Sequence, residues 1–160
     1  MKYQKRYIEI IKEIFHTDWQ HGYKILYFTI FLCSSLIAYY NFSKGFVMSS
    51  DSGQFSRWAD DLIRLEFNLY LYYSQNTFIN PNYIYSIPII LIAILKNFWG
   101  VEWQNAYITI NLFLVFFSLI FFSKSLIILK VRPVIVSVGI MILTLSVDLL
   151  VWPRYVLTDT

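Results

Sequence analysis

The sequence predicts an all-α, polytopic transmembrane protein with surface helices in a long first outer loop. Three observations lead there. Of the 160 residues, 58% are hydrophobic and only 14% charged, whereas soluble domains carry about 25% charged residues. The mean hydropathy is +0.54. Runs free of charge recur at the length a bilayer requires, with basic residues gathered at their ends. Too few charges remain to cover a water-facing surface, and disorder would need low hydrophobicity and high charge. The composition therefore excludes a soluble enzyme with its own closed core. It also excludes a nucleic-acid-binding module, so membrane lipid, not nucleic acid, is the expected partner.

The elements follow in chain order. Residues 2–22 read as a cytoplasmic amphipathic helix. Tyr3, Tyr7, Ile10, Ile11 and Ile14 recur at spacings of three and four, and Lys2, Lys5, Arg6, Glu9, Lys12 and Glu13 fall largely opposite. A basic amphipathic helix ahead of a span lies on the membrane surface. The first span covers residues 25–43, from Ile25 to Ser43, which contain no charge. That is close to the roughly 20 residues that cross a hydrocarbon core of about 30 Å. Basic residues from Lys2 to Lys24 precede it, so the N-terminus is expected in the cytoplasm. Cys33, the one cysteine, sits inside this span without a disulfide partner and reads as apolar filler.

Residues 44–102 form the expected outer loop. Lys44, Asp51, Arg57, Asp60, Asp61, Arg64 and Glu66 crowd its first part, and Ser49-Ser50-Asp51-Ser52 offers helix-capping side chains. Phe55, Trp58, Ala59 and Leu62 then share a face at helical spacing, which predicts a helix lying on the outer membrane surface. Helical ion pairing accounts for Asp60 and Asp61 with Arg57 and Arg64. Asn76 to Asn82, with Pro81, is a turn region. The apolar run Tyr83 to Leu95 is short and carries Pro88, so it is expected to stay in or on the outer leaflet.

Residues 103–123 and 134–152 are the second and third expected spans. Between them lie Lys124, Lys130 and Arg132 and no acid, which marks the loop as cytoplasmic. Residues 153–160 then begin a second outer loop. The resulting expectation is a multi-pass protein of the plasma (inner) membrane with Asp51 and Asp159 both outside.

Four residues are candidates for chemistry. Asp51 opens the surface helix, where free N–H groups and the helix dipole keep a carboxylate ionised, although capping alone explains an acid there. Arg154 and Asp159 lie at a membrane exit. An Arg there either marks the interface or holds phosphate through its planar fork. Asp148 is the one charge within residues 134–152, close to their outer end, and an ionisable residue in a span is a functional candidate by default. His16 and His21 have no ligand spacing, and no HExxH, CxxC, P-loop or GxSxG motif occurs.

The order of these features resembles the N-terminal part of a GT-C-type membrane glycosyltransferase, the superfamily of the protein O-mannosyltransferases and aminoarabinose transferases. Such enzymes have a first span and then a long outer loop that opens with an acid. Here that reads Met48-Ser49-Ser50-Asp51-Ser52-Gly53-Gln54-Phe55-Ser56-Arg57-Trp58-Ala59. A "PPL"-like element with a His or Glu usually follows. Asn80-Pro81-Asn82-Tyr83 takes its place, with one proline kept and the His or Glu absent. Later comes an Arg and, five residues on, an Asp at the outer end of a span, as Arg154 and Asp159 stand here.

The resemblance covers the chain from about residue 25 onward. It implies inverting transfer of a sugar from a polyprenyl-phosphate donor to an extracytoplasmic acceptor, a cell-envelope glycan, lipid or protein. Asp51 would take the acceptor's proton, Arg154 would neutralise the leaving lipid phosphate, and Asp159 would organise the outer loop, the acceptor or a metal. No cofactor is identified, and a divalent cation is the one this chemistry admits. Because such enzymes carry further spans, the resemblance also implies that residues 1–160 are an N-terminal module, inactive alone. Two alternatives stand beside it: a non-catalytic membrane scaffold or assembly subunit, and a flippase or polymerase for lipid-linked glycans. The enzyme predicts Asp51 and Asp159 at one outer cavity, and the scaffold predicts no convergence. The flippase predicts charges along a path between spans, where this chain offers Asp148.

Overall fold

The structure is a computed structural model that describes residues 19–48, 50–75 and 86–155. The predicted helix of residues 2–22 lies almost wholly outside them, as does the turn around Pro81. All named elements among the described residues are helical: α1 (Trp19–Lys44), α2 (Ser50–Arg64), α3 (Leu69–Gln75), α4 (Ser86–Trp99), α5 (Trp103–Ile128), α6 (Pro133–Thr144) and α7 (Val147–Val151). Short 3-10 turns at Gly100–Glu102 and Trp152–Arg154 complete the order. Contacts divide the chain into two compact units, Met1–Tyr40 with Leu112–Leu150 and Asn41–Asn111 with Val151–Thr160, so the division falls inside α1 and α5.

Two apolar helical runs are long enough to cross a membrane, Gln20–Lys44 and Ile87–Ile128. The second, at 42 residues, would measure about 63 Å at 1.5 Å per residue, twice a hydrocarbon core of about 30 Å. Only part of it can cross. Gly100 adopts the left-handed φ of +53° that ends α4. α5 with its 26 residues suffices for one crossing, at about 39 Å.

The first unit is built around one apolar cluster. Leu26, Ile30 and Cys33 of α1 meet Leu119 of α5 and Val136 and Ile140 of α6. The spacings of four and three on α1 put its three residues on one face. A Cβ added at Gly22 would lie 3.3 Å from Pro133 Cβ, so the start of α1 abuts the start of α6. The outer faces are also apolar: Phe28, Phe31, Tyr39, Phe113, Phe117 and Ile142 are at least half exposed. Water would not tolerate such a surface, and lipid covers it without penalty. Two buried hydroxyls bond to the preceding turn: Ser123 donates to Leu119 O at 2.6 Å and Thr144 to Ile140 O at 2.8 Å.

The third predicted span is not one helix. α6 stops at Thr144, and the two helical pieces meet at 70°. Ser146 explains the break. Its hydroxyl donates to Leu143 O at 2.6 Å and accepts from Leu149 N at 3.4 Å, so it closes one helix and caps the next.

In the second unit, α2 buries Phe55, Ala59 and Leu62 against Ile89, Ile92, Ala93 and Leu95 of α4, with Tyr72, Trp103 and Tyr107 completing the cluster. The small side chains of Ala59 and Ala93, both fully buried, let backbones approach closely. The apolar face of α2, expected to rest on the membrane, is covered by protein instead. α2 ends in a Schellman motif, with Glu66 at φ 52°, Phe67 N donating to Leu62 O and Glu66 N to Ile63 O. Asn68 starts α3 by accepting from Leu71 N at 3.1 Å.

Candidate functional site

Of the residues singled out from the sequence, Arg154 stands at a junction in the second unit. α1 ends at Lys44, where Gly45 takes φ +71° and its N–H caps Asn41 O at 2.9 Å. This left-handed residue redirects the chain at the end of the helix. Phe46 then anchors the connection edge-on against Trp103 and Tyr107, at 5.2 and 6.0 Å between ring centroids. Next comes Val47, which forms a parallel β-bridge with Tyr155 and donates its N–H to Arg154 O at 3.0 Å.

Arg154 closes the 3-10 turn Trp152–Arg154, which Pro153 starts by preventing continuation of α7. Its guanidinium carbon lies 6.0 Å from the Tyr155 ring centroid. Asn111 holds the turn from α5, donating through Nδ2 to Pro153 O at 3.0 Å. Asp51 is the second residue of α2. The junction thus brings the approach to α2 beside the Arg154 turn, while Asp159 and the Asn80-Pro81-Asn82-Tyr83 element lie outside the described residues. Among the described residues, no three His, Cys, Asp or Glu side chains form a metal-binding group.

Asp148 belongs to the first unit. The break at Leu145–Ser146 sets it in the first turn of α7. There it lines a cavity of about 350 Å³ with Val115, Ser118, Leu119, Phe122, Leu143, Ser146 and Leu149. On a straight third span it would stand near the outer end. The bend instead leaves it beside the interior of α5.

Two structural side chains escaped the sequence reading. Lys96, only 14% exposed, bonds Asp60 Oδ1 at 2.7 Å and Ser56 O at 2.9 Å and lies 5.5 Å from the Trp103 ring centroid, so it locks α4 to α2. Asp61 pairs with Arg64 as helical spacing predicts. Asn111 is the second, and its signal was an amide inside a charge-free run. Burial, helped by Asp61 and Tyr73, pushes the Tyr72 hydroxyl up to about 12.

Comparison of the chain with protein-family models, curated proteins and solved structures finds no match.

Proposed function

We propose that this chain carries the acceptor-activating segment of a GT-C-type membrane glycosyltransferase, which moves a sugar from a polyprenyl-phosphate donor to an extracytoplasmic acceptor. The observation that carries the reading is the register of the Val47–Tyr155 bridge. The paired residues run parallel, and each stands four positions before an acid, Asp51 and Asp159. Arg154, adjacent to the bridge, is bonded through its carbonyl to Val47. The pairing of Val47 with Tyr155 supports giving Asp51, as base, and Arg154, as phosphate-binding cation, one shared role, with Asp159 the second acid of the same sequence spacing.

The roles follow from chemistry. Asp51 takes the proton of the acceptor nucleophile as that atom attacks the anomeric carbon, and the polyprenyl phosphate leaves with the bonding electrons. The Arg154 guanidinium offsets the charge that develops on the phosphate. Asp159 orients the acceptor, or a divalent cation if the reaction uses one.

Topology supports this assignment. The close approach of Gly22 to Pro133 sets the start of α1 at the end of the protein where Lys124, Lys130 and Arg132 cluster. Positive charge marks that end as cytoplasmic, and α1, with 26 residues, is long enough to cross a hydrocarbon core.

The test is sugar transfer in membranes of the source cells. Asp51→Asn keeps the side chain's size at the second residue of α2 and removes the base. Transfer should fall by on the order of 100-fold, with protein level unchanged and the lipid-linked donor accumulating. Unchanged transfer would overturn the reading and favour the scaffold. Loss of donor translocation, with transfer intact on supplied donor, would favour the flippase.

A further inference from the structure

The cavity beside Asp148 has walls of one kind and a floor of another. Val115, Leu119 and Phe122 of α5 and Leu143 and Leu149 on the other side are apolar, while Asp148 is exposed within it. Among the described residues, no cation pairs with this carboxylate. The described basic residues of the same unit, Lys24, Lys124, Lys130 and Arg132, stand at or near helix ends.

Two counts from the bounding charges give its depth. From Arg132 to Leu143 is eleven residues, and from Lys124 back to Ser118 is six residues. At 1.5 Å per residue these are about 16 Å and about 9 Å, both within a hydrocarbon core of about 30 Å. Both counts set Asp148 inside the hydrocarbon. A carboxylate there is costly unless it is paired or faces a protein interior.

We propose that this groove is the docking site of a further membrane-spanning helix that carries one Lys or Arg within its apolar stretch. The cation neutralises Asp148, and the helix covers the apolar walls. Other occupants fit less well. A lipid phosphate would meet a like charge. A bare metal ion would find one carboxylate and two serine hydroxyls, with Ser146 already committed to helix capping. A second copy of this chain offers no cation from its charge-free runs, Ile25 to Ser43 and Trp103 to Ser123. This inference stands apart from the transferase reading, since it uses neither Asp51 nor Arg154.

The test uses the full chain, donor-labelled at its N-terminus, in phosphatidylcholine vesicles. Acceptor-labelled synthetic leucine–alanine helices carry Lys, Leu or Asp at the central position, and energy transfer reports association. The Lys helix should bind the wild-type chain at least about 10-fold more tightly than the Leu helix, in keeping with intramembrane polar pairs. Asp148→Asn should abolish that preference, and Asp148→Glu should keep it. Asp148→Lys should shift it to the Asp helix. Equal binding of the Lys and Leu helices by the wild-type chain overturns the proposal, whatever the variants do, and so does a Lys preference that survives in Asp148→Asn.

Discussion

Truncating Leu62 to alanine measures whether α2 is held by protein or by lipid. Leu62 is fully buried in the cluster that α2 shares with α4. Leu62→Ala removes three carbon groups, worth about 2.4 kcal/mol at about 0.8 kcal/mol each. The cavity left between two packed helices adds to that, since surrounding side chains relax only in part. A cost of about 3 kcal/mol follows, close to a 100-fold change in an opening equilibrium. Amide hydrogen exchange of the full chain in detergent micelles reads it directly. Amides of α2 and α4 should lose about 100-fold in protection, while amides around Leu26 to Ile37 of α1, in the other unit, should hold theirs. On a membrane-surface helix the shortened side chain would leave a gap that detergent fills. A change below about threefold across α2 would therefore refute the packing argument.

Two further outcomes concern the same unit. Because the Tyr72 hydroxyl is raised from 10.0 to about 12, the unfolded chain ionises first between those values, so stability should fall as pH rises from 10 toward 12. Tyr72→Phe should remove that part of the alkaline loss, as followed by thermal unfolding at pH 9 and pH 11, and an identical loss in the variant would contradict the assignment. Lys96→Met keeps the buried stem and deletes the charge. With Asp60 55% exposed at its side chain, the double-mutant cycle with Asp60→Asn should give a coupling of about 0.5 kcal/mol, diminishing in high salt, and a salt-independent coupling above about 2 kcal/mol would show that screening had been misjudged.

The parts of this fold that local pattern controls were legible. The charge-free run from Ile25 to Ser43 marks a crossing, although α1 starts earlier, at Trp19, because charge bounds the hydrocarbon and not the helix. Phe55, Ala59 and Leu62 gave the buried face of α2 by spacing alone. What covers that face was not legible, because amphipathicity names the side that leaves water and not the surface it meets. The run through Ile89 and Ile92 is apolar nearly all round, so nothing in its pattern selects α2 as partner. Hydropathy hid the break at Leu145, since a window average hardly registers one serine. The capping signal was nonetheless present in Ser146, with Asp148 two residues on. The bridge from Val47 to Tyr155 joins residues 108 positions apart and leaves no local trace. The equal spacing to Asp51 and Asp159 gains meaning only once that register is known. Asp148 stands out in the sequence as a charge in an apolar run, but the cavity it lines depends on the bend.

The proposed function rests on the pairing of Val47 with Tyr155, and a disulfide between Val47→Cys and Tyr155→Cys tests that pairing most directly. Bridged strands lie about 4.8 Å apart, within the Cα separations of roughly 4.4–6.8 Å that a disulfide spans. On a Cys33→Ser background in native membranes, mild oxidation should link the pair, and proteolysis between α4 and α5 should then leave the fragments joined until reduction. A control pair of Met48→Cys with Trp152→Cys, out of register, should link far more slowly. Failure of the 47–155 pair to link, in protein whose α2 amides remain protected, would contradict the account and leave the two acids without a shared site.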